Sequence, residues 1–437
     1  MRYYSTNHKS PVVSFKEAVL KGLPDDNGLY MPETIPRLSQ SFWDNLNQFS
    51  FTDIAREVGR LWIGDEIPIT ELERIIHTAF DFPIPLIRVE EHIHSLELYH
   101  GPTMAFKDFG ARFMALTMEY FARQLNQKLV ILVATSGDTG SAVAHGFLGQ
   151  PHIDVVILYP GKKISLLQEK QLTTLGHNIK ALEINGTFDD CQKLVKDAFL
   201  DPALNTKIRL SSANSINIAR LIPQSFYYFY ACQQLKLKNM DCSPVISVPS
   251  GNFGNLTAAL LAKQMGLPVH HFIAATNTND VVPYYLNTGR FAPRPSQKTI
   301  SNAMDVGNPS NFARMEDIYG KELSRMEIDI KGYAFDDQET RETLKSVWQK
   351  TGYLMDPHGT VGYLGLRRFI RENDYTGESI FVETAHPAKF REIVEPLINQ
   401  PIPLPPQLAQ VMEKEKHSIP MENDFNQLKE FLLETYP

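Results

Sequence analysis

The chain has 437 residues, 43% of them hydrophobic and 21% charged, the mixture of a globular protein with two or three folding units at ~150 residues each. Forty-three Lys and Arg against fifty Asp and Glu give a net charge of -7, so no global positive field recruits nucleic acid or anionic lipid, and the expected ligand is a small molecule caught by local devices. The cysteines Cys191, Cys232 and Cys242 form no C-x-x-C pair, which argues against a disulfide framework or a zinc site and fits a reducing cytoplasm.

Met1 to Phe15 lack the continuous apolar core of a signal peptide, and no run reaches the ~18 apolar residues of a spanning helix, so no membrane role is expected. From Val13 to about Pro83 the pattern is mostly helical: Phe51, Ile54, Val58, Leu61 and Trp62 recur at helical spacing, while Asn27-Gly28 and Pro24, Pro32 and Pro36 break the region into short pieces. Residues 1–85 are therefore expected to form a helical N-terminal region lying on a larger body.

After Pro85 apolar runs of strand length alternate with helical stretches, the signature of an α/β protein. The expected strands are Leu129 to Ala134, Val155 to Tyr159, Ile179 to Ile184, Ile208 to Ser211, Val245 to Val248, Phe272 to Ala275 and Ile380 to Val382. Most are apolar on both faces, as buried parallel strands are. Ser165 to Leu175, Ile218 to Leu235 and Gly254 to Met265 read as connecting helices. The body is expected over 86–400, with a smaller subdomain at about 129–226, and 401–437 as a C-terminal tail and helix.

Ligands of open α/β sheets bind beyond the carboxyl ends of the strands, and the polar segments Thr135 to Gly140, Ser211 to Asn217, Pro249 to Asn255 and Thr384 to Pro387 each follow an expected strand. Ser250-Gly251-Asn252-Phe253-Gly254-Asn255 has two glycines ahead of a helix, so successive backbone N–H groups and the helix N-terminus can converge on an anion. The bland alternative is an ordinary strand-to-helix turn. No G-x-G-x-x-G or P-loop lysine is present, which makes a cofactor phosphate a better fit than a nucleotide. Thr135-Ser136-Gly137-Asp138-Thr139-Gly140 can serve as a helix cap or as a site offering hydroxyls and N–H groups. Lys107 lies between Phe106 and Phe109, where a lysine commonly just snorkels to solvent. Together with a phosphate cup and a hydroxyl-rich turn, however, it completes the parts needed to hold pyridoxal phosphate as a Schiff base. His92, His94, His100, His358 and His386 lack metal-ligand spacing, and no metal is expected.

His100-Gly101-Pro102-Thr103-Met104-Ala105-Phe106-Lys107-Asp108-Phe109, Ser136-Gly137-Asp138-Thr139-Gly140 and Ser250 to Asn255 closely resemble the threonine synthase family. Asp26 to Pro36, Asn214-Ser215-Ile216-Asn217, Ser301 to Val306, Asp356-Pro357-His358-Gly359 and Thr384 to Phe390 follow in the same order, so the likeness covers nearly the whole chain. The resemblance implies a tryptophan-synthase β-like fold with two open, doubly wound, mostly parallel sheets. It also implies pyridoxal 5'-phosphate as cofactor and conversion of O-phospho-L-homoserine and water to L-threonine and phosphate by a monomer or homodimer. By the same resemblance Lys107 is the Schiff-base lysine and the catalytic base. Gly251, Asn252, Phe253, Gly254 and Asn255 hold the cofactor phosphate, and Thr384 faces the pyridine nitrogen. Asn214 and Arg220 contact the substrate phosphate, with Thr135, Ser136 and Thr139 assisting. Without the resemblance, Asn214 and Asn217 read as helix caps and Arg220 as a surface residue. Asp138 departs from the wider fold, where an Asn faces the cofactor's phenolic oxygen; two anionic oxygens there repel unless a proton is shared. A dehydratase of the same fold, with a hydroxyl leaving group and no need for Arg220, is the nearest rival.

Overall fold

The computed structural model describes residues 1–135, 137–161, 164–240 and 243–436. Near the N-terminus β1 (Arg2–Ser5), β2 (Val13–Ser14) and β3 (Tyr30–Pro32) make a small antiparallel sheet in the order β2-β1-β3. The helices expected in this region follow, notably Phe51–Ile63 and Ile69–Ala79. The first is closed by a capping box between Ser50 and Asp53 and buries Ile54, Ala55, Val58 and Trp62 along one stripe.

The remaining strands are β4 (Leu86–Glu90), β5 (Ile93–Glu97), β6 (Leu129–Ala134), β7 (Ile153–Pro160), β8 (Ile179–Asn185), β9 (Arg209–Ser211), β10 (Val245–Pro249), β11 (His271–Thr276), β12 (Ile330–Ala334), β13 (Ser379–Glu383) and β14 (Ile419–Glu422). They form two sheets. The larger runs β12-β11-β10-β13-β5-β4, parallel except for the antiparallel edge pair β4 and β5. The smaller runs β14-β8-β7-β6-β9 and is parallel throughout. Every apolar run expected to be a strand is one, within about two residues at each end.

The two faces of the smaller sheet enter different cores. Leu129, Ile131 and Val133 of β6 join the main core with Phe109, Phe113 and Phe226. Val130, Leu132 and Ala134 pack under a second cluster with Leu194, Ala198, Leu428 and Leu432, as the period-2 alternation of a strand requires. The last of these residues come from the helix Phe425–Thr435. The C-terminal residues thus supply both the edge strand β14 and part of the cover of this sheet.

Candidate active site

Five segments leave carboxyl ends of strands and converge: those after β5 and β13 and β10 in the larger sheet, and those after β6 and β9 in the smaller. β13 lies between β5 and β10, and β6 beside β9. The loop after β5 folds over that after β13 through Phe106 N–H to Thr384 O (2.8 Å) and His386 N–H to Met104 O (3.1 Å), with an antiparallel bridge between Ala105 and Ala385. Lys107 and Thr384 are thereby brought to one place.

Lys107 is the first residue of the helix Lys107–Ala122. The turn before it is wound around Asp108, whose carboxylate accepts from Thr103 N–H (2.9 Å) and Thr103 Oγ1 (2.7 Å). Burial raises the Asp108 carboxyl to about 6, against the pull of those bonds. Burial pushes the Lys107 amine down to about 8; Asp138 opposes that fall, and Arg220 and Lys389 reinforce it. Phe109 is fully buried in the main core.

Asp138 opens the helix Asp138–Phe147 after β6 and is buried. Lys389 Nζ, also buried, lies 2.7 Å from Asp138 Oδ1 and donates to Thr103 O at 2.9 Å. Burial pushes the Asp138 carboxyl upward, but Lys389 and then Lys107 outweigh it and hold it well below the usual carboxylate range. The repulsion anticipated for an aspartate at this place is therefore met by a cation that sequence reasoning passed over. Thr135 is buried, and its hydroxyl is spent on its own loop: it accepts from Gly140 N–H (2.8 Å) and Gly137 N–H (3.1 Å) and lies 3.1 Å from Gly137 O. Thr139 is half-buried in the first turn of the helix, and Ser136 lies outside the described residues.

After β9, Asn217 caps the short helix Ile218–Leu221, accepting from Ala219 N–H at 3.0 Å and donating to Val19 O and Ser212 O. Asn214 is not a cap; it is half-buried, and its carbonyl accepts from Asn217 N–H. Arg220 is no surface residue but only 3% exposed. Nη1 donates to Ala213 O at 2.9 Å, Nε is buried with no partner, and no carboxylate pairs with it among the described residues. Burial alone lowers it to about 10. A buried guanidinium without a counter-ion is costly unless an anion completes it.

After β10, the backbone N–H groups of residues 251–255 find no acceptor among the described residues, and they precede the helix Gly254–Gln264. The turn is made by Phe253 in the left-handed region (φ 60°), not by either glycine. Gly251 is required for another reason: a Cβ there would lie 2.7 Å from Met304 Cα and 2.9 Å from Ala303 O. Asn255 braces the segment from within, accepting from Ser250 Oγ (3.0 Å) and donating to Pro249 O (2.8 Å). Asn252 braces it from outside, donating to Ser215 Oγ and accepting from Ser310 N–H (2.6 Å). Asn311 donates to Asn252 O (3.0 Å). It is held in turn by Arg314, which is fully buried and also donates to Tyr30 O and Ile216 O (2.7 Å to the latter). The cup, the Arg220 loop and the N-terminal sheet are thus hydrogen-bonded into one unit by two side chains that no motif had flagged.

Three family models account for the chain in sequence: threonine synthase N terminus over residues 2–80, pyridoxal-phosphate dependent enzyme over 83–385, and threonine synthase, C-terminal, over 360–432. Threonine synthase of Haemophilus influenzae is 47% identical over 438 residues, covering 100% of both chains. The chain belongs to the threonine synthase family. The Escherichia coli threonine synthase crystal structure superposes with a TM-score of 0.91 at 44% identity, covering 100% of both chains. That of Brucella melitensis, solved with pyridoxal phosphate bound, gives 0.93 at 34% identity over 100% of this chain and 99% of that one. This family member is accordingly a pyridoxal-phosphate dependent enzyme with the expected pair of mostly parallel sheets. Its residues fit the cofactor: five backbone donors with no acceptor among the described residues make a cradle suited to a phosphate, a lysine with a lowered amine stands close to Asp138, and the Thr384 segment is clamped against that lysine's loop.

Proposed function

We propose that this chain converts O-phospho-L-homoserine and water to L-threonine and inorganic phosphate. The observation that carries the substrate assignment is Arg220: a buried guanidinium that has, among the described residues, an unpartnered Nε and no carboxylate, within electrostatic reach of Lys107. A doubly charged leaving phosphate supplies the missing anion, whereas a hydroxyl leaving group has no use for it.

In this reading residues 251–255 hold the cofactor phosphate with their backbone N–H groups and the helix N-terminus. Lys107 holds the cofactor covalently through its ε-amine, and Thr384 offers the pyridine nitrogen a hydroxyl and not a carboxylate. Bound pyridoxal phosphate supplies an electron sink that makes protons on the substrate's α- and β-carbons labile. The Lys107 amine would remove the proton at Cα; an amine lowered to about 8 is partly neutral near pH 7 and able to do so. Arg220 and Asn214 hold the γ-phosphate and take up its charge as the Cγ–O bond breaks. Thr139 and Ser136 orient the substrate from the facing loop, and Thr135 shapes that loop. In the net change one Cβ hydrogen leaves as a proton and the hydroxyl of water takes its place, Cγ exchanges its phosphate for a proton and becomes a methyl, and Cα regains its proton, so one phosphate is released for each threonine formed. In this reading the protein works in the cytoplasm as a monomer or homodimer, a compartment that suits three widely spaced cysteines with no C-x-x-C pair.

The test is paired measurement of inorganic phosphate and L-threonine from O-phospho-L-homoserine with pyridoxal phosphate supplied. Equal yields are expected. Phosphate with 2-oxobutyrate overturns the product, and no phosphate at all overturns the substrate.

A further inference from the structure

The buried ion pair of Asp138 and Lys389 joins two segments far apart in sequence, the turn after β6 and the turn after β13. Lys389 has its side chain fully out of water, and its Nζ reaches two acceptors, Asp138 Oδ1 at 2.7 Å and Thr103 O at 2.9 Å. The second acceptor is in the turn that delivers Lys107. Gln168 Nε2 donates to the same Asp138 oxygen at 3.4 Å, so Oδ1 is occupied from two sides. The Lys107 amine faces Asp138, Arg220 and Lys389, and the Asp138 carboxylate faces Lys389, Lys107 and His358.

We propose that Lys389 is a positioning residue of the active site: it keeps Asp138 an ionised, oriented acceptor beside Lys107, so that the Asp138–Lys389 pair stands where the wider fold uses a neutral amide. The inference rests on the reading of Lys107 as the cofactor lysine. A neutral Asn needs no counter-ion. An Asp at the same place carries a full negative charge out of water and is tolerated only with a cation in contact. Lys389 supplies that cation without approaching Lys107 as an unpaired charge, because its own positive charge is matched by Asp138. Its bond to Thr103 O adds a mechanical link between that charge pair and the Lys107 turn.

The experiment is a double-mutant cycle with Lys389→Met, Asp138→Asn and the double variant. The readouts are equilibrium binding of pyridoxal phosphate to the apoprotein and pH titration of the visible absorbance of the Lys107-linked cofactor. Lys389→Met strands the carboxylate, and cofactor affinity should fall about a hundredfold. In the double variant both charges are gone, and affinity should recover to within about tenfold of the parent, a strong departure from additivity. In Asp138→Asn the carboxylate is lost and Lys389 is left unpaired. Both changes disfavour the protonated Lys107 nitrogen, so its titration should move to lower pH and return toward the parent value in the double variant, a shift that a purely structural role does not produce. Should Lys389→Met fail to fold, the two Asn-containing variants still decide the matter. Additive losses, or titrations identical to the parent in both Asn-containing variants, overturn the pair. A parent protein that takes up no pyridoxal phosphate at Lys107 overturns instead the cofactor reading on which it rests.

Discussion

At Lys107 opposing influences meet: burial above all, then Arg220 and Lys389, disfavour the protonated amine and so favour a nucleophile, whereas Asp138 favours the protonated form. The outcome is an amine lowered to about 8. Only the neutral amine attacks an aldehyde, so uptake of pyridoxal phosphate by the apoprotein should accelerate about tenfold per pH unit below that value and level off above it. Stopped-flow absorbance across pH 6 to 10 checks this; a rate independent of pH below 8 contradicts it. Lys107→Ala should abolish the covalent cofactor, seen as loss of the mass added after borohydride reduction. Arg220 makes the complementary case. Arg220→Ala removes charge-assisted hydrogen bonds worth about 1.5–3 kcal/mol, so kcat/KM for the phosphorylated substrate should fall roughly ten- to a hundredfold, with competitive inhibition by inorganic phosphate weakened in proportion. Arg220→Lys should fall between, since an ammonium keeps the charge but loses the fork. An unchanged KM in Arg220→Ala would place the phosphate elsewhere.

Elements with a continuous apolar run were readable in the sequence because their side chains enter a core on both faces, as in β6 and β10, where every residue is buried. β5 escaped the same reading although it too is wholly buried, because its burial is polar: His94 pairs with Glu378, Ser95 accepts from Tyr353, and Glu97 accepts from His100 and Tyr353. With only Ile93 and Leu96 apolar, such a strand has little hydrophobic signature, and its partners Tyr353 and Glu378 lie hundreds of residues away. β12 and β14 are short edge strands and carry little pattern for a related reason. The site shows the same division. Motifs mark Lys107, Asp138, Arg220 and the cup as candidates, whereas Lys389, Asn311 and Arg314 act through contacts that only folding creates. Even inside the cup, sequence misplaced the strain: both glycines looked like turn formers, but Phe253 takes the left-handed conformation, Gly254 has no neighbour closer than 3.5 Å to an added Cβ, and Gly251 is hemmed in by backbone. Gly251→Ala should therefore push the cup off the 303–304 segment and weaken pyridoxal phosphate binding about tenfold or more. Far-UV circular dichroism should be unchanged, with cofactor affinity read by fluorescence titration; parental affinity would mean that the cup yields more easily than its contacts imply.

On the scale of the whole molecule, the two proposed anion sites hang from different sheets. The cofactor cup leaves β10 of the larger sheet, while the Thr135 and Arg220 loops leave β6 and β9 of the smaller. The outer face of the smaller sheet is covered by the helix Phe188–Leu200, on which the C-terminal helix packs, and Leu428 and Leu432 are fully buried in one cluster with Leu194, Ala198 and the even-numbered residues of β6. Lys416, bridging Glu169 and Glu183 at 2.7 and 2.6 Å, and β14, paired in parallel with β8, tie the preceding segment to the same sheet. Substituting Leu432 by Ala opens a cavity in this second core at a cost of about 2–5 kcal/mol, and the strain falls first on the sheet that positions Arg220. KM for the phosphorylated substrate should then rise. The dissociation constant for pyridoxal phosphate, set by a cup on the other sheet, should stay within about twofold of the parent, as for separated sites. Urea unfolding read by circular dichroism measures the stability loss, and cofactor titration and initial rates separate the two sites. Equal damage to both would show that the Arg314–Asn311 connection transmits disorder across the cleft as readily as it transmits order.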